Sequence, residues 1–200
     1  GYAHAGQVCI SVQRLLVHKD IYTELKKALL KKLNKIKADD PHLATTIVGP
    51  MIKHDEALRL KKWIDKAQKK GAKVLMGNEL EGVLFHPTLV ENVSPDCELY
   101  KDEAFGPVVI LEKYKNFEDG LAKINASRFG LQAGIYTQNL NQMLKAWDEL
   151  HVGGVIINDV PTFRVDNMPY GGVKDSGLGR EGIHSAIADM QEERLLVIKQ

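Results

Sequence analysis

Cysteine is scarce in this chain. Two in 200 residues, Cys9 and Cys97, are too few and too far apart for a disulfide framework or a metal-ligand cluster, so no metal site is expected. The default setting for such a sequence is the reducing cytoplasm. Excess charge is missing too: 27 Lys and Arg stand against 26 Asp and Glu, leaving +1, which argues against a nucleic-acid or membrane-surface partner. No apolar run of spanning length, signal-peptide pattern or lipidation motif is visible, nor any internal repeat or low-complexity tract. The first residue is Gly1, not Met, and the chain opens inside a motif. It therefore reads as part of a longer protein.

What is present is ordinary for a globular domain: 44% hydrophobic and 26% charged residues, enough to bury a sizeable core. Lys26, Lys27, Lys31, Lys32, Lys35 and Lys37 alternate with Leu25, Leu29, Leu30, Leu33 and Ile36, the solvated face of an amphipathic helix rather than a phosphate site. The pattern predicts a short helix opening at Cys9, a strand over Arg14–His18, and a long helix capped by Asp20 with Leu25, Leu29, Leu33 and Ile36 inward. A loop from Pro41 to Pro50 follows. A helix then runs from Asp55 to Lys70 with Leu58, Trp63, Ile64 and Ala67 inward, stopped by Gly71. Next come a strand over Ala72–Met76, an extended segment over Leu84–Val90 placed at a sheet edge by Pro87, and a doubly covered strand over Val108–Leu111. Helices near Phe117–Ala126 and Leu140–His151 alternate with strands over Gln132–Thr137 and Gly154–Asn158. A Gly-rich loop over Pro169–Gly182 and a last helix over Glu181–Met190 follow. Alternation with short links specifies an α/β fold, a largely parallel sheet with helices on both faces. Residues 1–190 form the expected domain. The apolar tail, Arg194–Ile198, reads as a strand without a partner, hence an oligomerisation element at 191–200 and a homo-oligomer.

Three segments carry candidate chemistry. In Gly6-Gln7-Val8-Cys9-Ile10-Ser11-Val12-Gln13-Arg14, the thiol stands where a helix is expected to start. Backbone N–H groups there favour a thiolate and hydrogen-bond a neighbouring oxyanion, and Arg14 adds positive potential. The competing reading is a buried small hydrophobe. His4 offers a Cys–His pair, which would make a thiol acyl hydrolase. In Glu103-Ala104-Phe105-Gly106-Pro107-Val108 a loop turns at Gly106-Pro107 into a strand, and on its own the segment reads as a surface Glu and a core Phe. The third segment, Pro169–Glu181, contains Gly177-x-Gly179-x-x-Gly182. It lacks the preceding strand and following acid of a dinucleotide fingerprint, and reads as architecture, as does Asn158.

Together these segments resemble the aldehyde dehydrogenase family: Gly-Gln-x-Cys with Arg five residues on, then Glu-x-Phe-Gly-Pro, then Pro-Tyr-Gly-Gly-x-Lys-x-Ser-Gly-x-Gly-Arg-Glu, in family order. The resemblance implies a catalytic-domain fold and oxidation of an aldehyde by NAD or NADP. Cys9 is then the nucleophile, passing through a thiohemiacetal and a thioester, and its own N–H is an oxyanion donor. Glu103 is implied to bind the nicotinamide ribose, and Phe105 to pack by the nicotinamide. Relatives shape the substrate mouth near Arg164, whose guanidinium forks onto carboxylate or phosphate, or else forms a solvent ion pair. The run Val165–Gly172 looks most like members acting on lactaldehyde or semialdehydes. Val8 stands where relatives specific for glyceraldehyde 3-phosphate often have Arg. The resemblance also implies that the nucleotide-binding domain, the general-base Glu and the side-chain amide of the oxyanion hole lie outside this chain. The isolated chain is accordingly expected to bind NAD weakly and to turn over no aldehyde.

Overall fold

A computed structural model describes all residues, 1–200. They fall into two compact units, Gly1–Ser127 and Arg128–Gln200, where the sequence suggests one domain over 1–190. The first unit runs 3-10 turn (Ala3–Gly6), β1 (Arg14–His18), α1 (Tyr22–Leu33), α2 (His54–Lys69), β2 (Lys73–Met76), β3 (Leu80–Glu81), β4 (Leu84–Phe85), β5 (Thr88–Glu91), α3 (Glu98–Lys101), β6 (Val108–Tyr114) and α4 (Phe117–Asn125). Its main sheet has the order β1-β6-β5-β2. The β1–β6 and β6–β5 pairs are parallel and only β2 runs antiparallel, so the fold is α/β with mainly parallel strands.

The centre of that sheet is the apolar run the sequence displays. Val108, Val109, Ile110 and Leu111 of β6 are all buried, as are all four residues of β5. Consecutive residues point to opposite faces, so both faces of these strands are covered. The expected edge position of Leu84–Val90 is therefore wrong: β5 lies between β6 and β2. Pro87 is tolerated because it precedes the first ladder residue, Thr88, whose N–H donates to Pro107 O at 2.9 Å, so the missing proline donor breaks no ladder bond.

The helices deviate from expectation in detail. Asp20 does not cap α1; the helix begins one residue after Ile21 with no side-chain cap. Leu33 is buried and Leu29 half-buried, whereas Leu25 is exposed and Ile36 lies beyond the helix. On α2 the buried stripe is Ala57, Leu60, Ile64 and Ala67, one turn's spacing apart. Leu58 and Trp63 are half-buried beside it. Asn116 caps α4 by accepting the Asp119 N–H at 2.9 Å, a cap the sequence reading passed over.

A half-buried polar lattice ties β1 to β6. Arg14 Nη2 donates to Glu112 Oε2 at 2.8 Å and to Tyr100 Oη at 2.5 Å, and Nη1 donates to the Lys123 carbonyl at 3.1 Å. Lys123 Nζ reaches Glu112 Oε1 at 2.7 Å. Burial pushes the Glu112 carboxyl up, but the hydrogen bonds and charges of Lys123 and Arg14 outweigh it and hold it below the usual range. A carboxyl depressed in the folded state contributes stability above its unfolded pKa, and this is lost as pH falls through the folded value. Glu112→Gln is expected to lower neutral-pH stability by about 1–3 kcal/mol and to flatten the acid limb of stability, as measured by urea unfolding at stepped pH. Equal acid sensitivity in both proteins would refute this account.

The second unit contains β7 (Phe129–Gly130), β8 (Gln132–Ile135), α5 (Leu140–Glu149), β9 (Gly154–Ile157), β10 (Val173–Lys174) and α6 (Ile183–Asp189). Strands β8 and β9 pair in parallel, and β10 pairs antiparallel with β7. Asn139 caps α5, accepting from the Asn141 and Gln142 N–H groups at 2.9 and 3.3 Å. Asn158 holds φ +59; its Oδ1 accepts the Thr137 N–H at 2.9 Å, which explains an amide side chain there. Residues 191–200 form no strand within the chain, and Leu195, Leu196, Val197 and Ile198 are 68–86% exposed.

Candidate active site

The segment leading to Cys9 is shaped by glycine. Gly6 has φ +67, and a Cβ built on it would fall 2.1 Å from Gly106 O and 2.4 Å from Gly106 C. The backbone before Cys9 thus lies directly on the backbone after Phe105. Gly106 is constrained in turn, since its own Cβ would meet Leu60 Cδ1 at 2.1 Å. Two loops from distant parts of the sequence are brought together where only glycines let the chains approach.

Cys9 is exposed. It does not open a helix, contrary to expectation. Residues 8–10 form a turn, closed by the Ser11 N–H donating to Val8 O at 2.9 Å. The reason is local: Val8, Ile10 and Val12 bring a β-branched residue at every second position, and the chain must be extended again by Arg14, where β1 begins. Arg14 does not lend its charge to the thiol as the sequence suggested, because that charge is bound to Glu112. His4 is exposed in the preceding turn with φ +52.

Glu103 and Phe105 stand on the facing loop. Phe105 has φ +46 and is 41% exposed. Glu103 is exposed overall, yet enough protein surrounds its carboxyl that desolvation pushes it up from the usual range, opposed by the nearby charge of Arg59. Arg59 Nη2 donates to the Ala104 carbonyl at 2.8 Å, and its guanidinium stacks 4.3 Å from the centre of the Trp63 ring. Both loops line one shallow open hollow, walled from the first by Gly6, Val8, Ser11 and Gln13 and from the second by Glu103 to Gly106 and Val108; Cys9 itself is not in that wall.

Sequence reasoning overlooked the residues that fix these loops. Gln7 Oε1 accepts the Ile52 N–H at 2.8 Å, and its Nε2 donates to Pro50 O at 3.3 Å. Gln13 reaches the other way, to the loop carrying Glu103. The available signal was a pair of amides flanking Cys9 in an otherwise apolar run. Arg164 belongs to the second unit. It pairs with Glu181 Oε2 at 3.3 Å and lies 4.3 Å from the Tyr170 ring centre.

Fold and hollow define an α/β domain that presents an exposed thiol turn against a loop bearing a carboxylate and an aromatic ring. The sequence matches the aldehyde dehydrogenase family over residues 1–196, and the chain belongs to that family. It is 44% identical over 197 residues to the 3-sulfolactaldehyde dehydrogenase of Priestia aryabhattai, a match covering 98% of this chain and 41% of that protein. Among solved structures, aldehyde dehydrogenase 21 from Physcomitrella patens, in complex with the reaction product succinate, superposes with TM-score 0.95 at 42% identity, covering 98% of this chain and 40% of that one. The glyceraldehyde-3-phosphate dehydrogenase GapN of Methanocaldococcus jannaschii, complexed with NADP, gives TM-score 0.90 at 39% identity, covering 94% and 41%. The chain spans about two-fifths of the length of the relatives it matches. No helix is long and apolar enough to cross a membrane.

Proposed function

We propose that this chain supplies the nucleophile and the nicotinamide-end contacts of an aldehyde dehydrogenase that uses NAD or NADP. The observation carrying this reading is that Val8 and Ser11, on either side of Cys9, and the Glu103–Phe105 loop wall the same hollow. Sulfur attack on the aldehyde carbon forms a C–S bond and moves charge onto the carbonyl oxygen, which the Cys9 backbone N–H stabilises. The cofactor, when bound, supplies the two-electron oxidation by accepting hydride. Water then cleaves the resulting thioester, releasing the carboxylic acid and regenerating the thiol, with a general base from outside these residues. Glu103 binds the ribose hydroxyls and Phe105 walls the ring, so the chain's own residues orient the reacting face. The test is loss of NAD(P)H formation from aldehyde in a Cys9→Ser variant of the natural polypeptide carrying this chain.

The substrate we assign is a short aldehyde with an anionic tail. The name of the Priestia relative and the solved succinate complex support that class. Arg164 is the residue of the second unit to which we assign anion binding, its guanidinium part-exposed and paired with Glu181 Oε2 at 3.3 Å. Assembly falls to residues 191–200, whose exposed aliphatic side chains have nothing to bury against within the chain and which pair with a second copy. Truncation at Glu193 is expected to lower the mass measured by light scattering to that of a smaller assembly. An unchanged mass would remove the tail from the interface.

A further inference from the structure

We propose that Gln13 is the positioning residue of the cofactor-contacting loop, an inference that rests on reading Glu103 and Phe105 as cofactor contacts. Gln13 is itself fixed by the sheet, its backbone carbonyl accepting the Ile110 N–H at 2.8 Å. From that anchor its side-chain amide brackets Glu103. Oε1 accepts the N–H of Ala104 at 2.8 Å, one residue after it. Nε2 donates to the carbonyl of Asp102 at 2.8 Å, one residue before it, and to Leu99 O at 3.1 Å.

The next residue explains why such a clamp is needed. Phe105 holds φ +46, a conformation that a bulky side chain keeps only when its surroundings over-determine it. The clamp, with the Gly6 backbone pressed against Gly106, removes the alternatives before any ligand arrives, so binding does not carry the cost of ordering the loop. Gln7 performs a separate task, holding the thiol turn to residues 50–52. The two amides therefore act on different halves of the hollow, and Gln13 acts on cofactor affinity through Glu103.

The experiment is a double-variant cycle in the natural polypeptide, with NAD+ and NADP+ titrated calorimetrically. Gln13→Met preserves length and removes all three bonds; it is expected to weaken binding about tenfold. Gln13→Glu keeps an acceptor for the Ala104 N–H but turns a carboxylate oxygen on the Asp102 and Leu99 carbonyls, so it is expected to weaken binding at least as much. In a Glu103→Ala background, Gln13→Met is expected to add nothing further. Hydrogen exchange is expected to quicken at the Ala104 amide and not at Ile52, which Gln7 holds. Undiminished affinity in Gln13→Met, or a loss that simply adds to that of Glu103→Ala, overturns the inference. If Glu103→Ala itself leaves affinity unchanged, the reading of Glu103 fails instead, and the two failures are distinct. Should Gln13→Met not fold, the same cycle with Gln13→Glu decides.

Discussion

Replacing Cys9 by serine is expected to lower NAD(P)H formation from aldehyde by about a thousandfold or more, while cofactor affinity stays within about threefold of the parent because oxygen replaces sulfur with no atom added or removed. The asymmetry follows from the chemistry proposed for the site. A hydroxyl is a weak nucleophile near neutral pH, and its ester yields to water less readily than a thioester. The turn is closed by the Ser11 N–H and Val8 O and held by Gln7, bonds that the substitution leaves in place. A stopped assay with cofactor titrated separately distinguishes chemistry from binding. Residual turnover above a tenth of the parent rate would show that another group attacks the aldehyde.

Gly6→Ala is expected to be among the costliest small substitutions in the chain, destabilising it by about 3 kcal/mol or more and lowering the melting temperature by about 6–12 °C. Two penalties coincide. A side chain at φ +67 is strained whatever the space, and the new Cβ meets Gly106 O at 2.1 Å and Pro107 N at 3.0 Å. These are backbone atoms, which cannot swing aside as the end of a flexible side chain does. Gly82→Ala isolates the first penalty, because Gly82 has φ +62 with nothing within 4 Å; about 1 kcal/mol is expected there. The clash would be disproved by equal melting temperatures for the two variants.

The sequence made legible whatever depended on local pattern. Val108–Leu111 announced a doubly covered strand and is one, and Gly71 follows the last turn of α2 as expected. The family motifs pointed to Cys9, Glu103 and Phe105. What local pattern could not reveal is long-range geometry. Pro87 suggested an edge because its lost donor matters only if a ladder bond was due there, and whether one is due depends on where the pairing with β6 starts. Arg14 looked like a cation for the thiol because its partner, Glu112, lies on a strand far along the chain. The turn at Cys9 was misread as a helix start because the demand to enter β1 extended outweighs the local suggestion of a loop-to-helix junction. Gln13 was invisible as a clamp because a glutamine in sequence does not state which backbone it will bond.

The pairing of β1 with β6 has a consequence for how the protein is made. Residues 14–18 meet 110–114, and the bond between Gln13 and Ala104 closes a loop of 91 residues. During synthesis the thiol therefore leaves the ribosome long before the walls of its hollow exist, at roughly 5–20 residues per second. Through that interval the sulfur is exposed on an unfolded chain and open to oxidants, and it is exposed still when the chain has folded. The latest-arriving wall, not the segment around Cys9, sets the moment at which the hollow is complete.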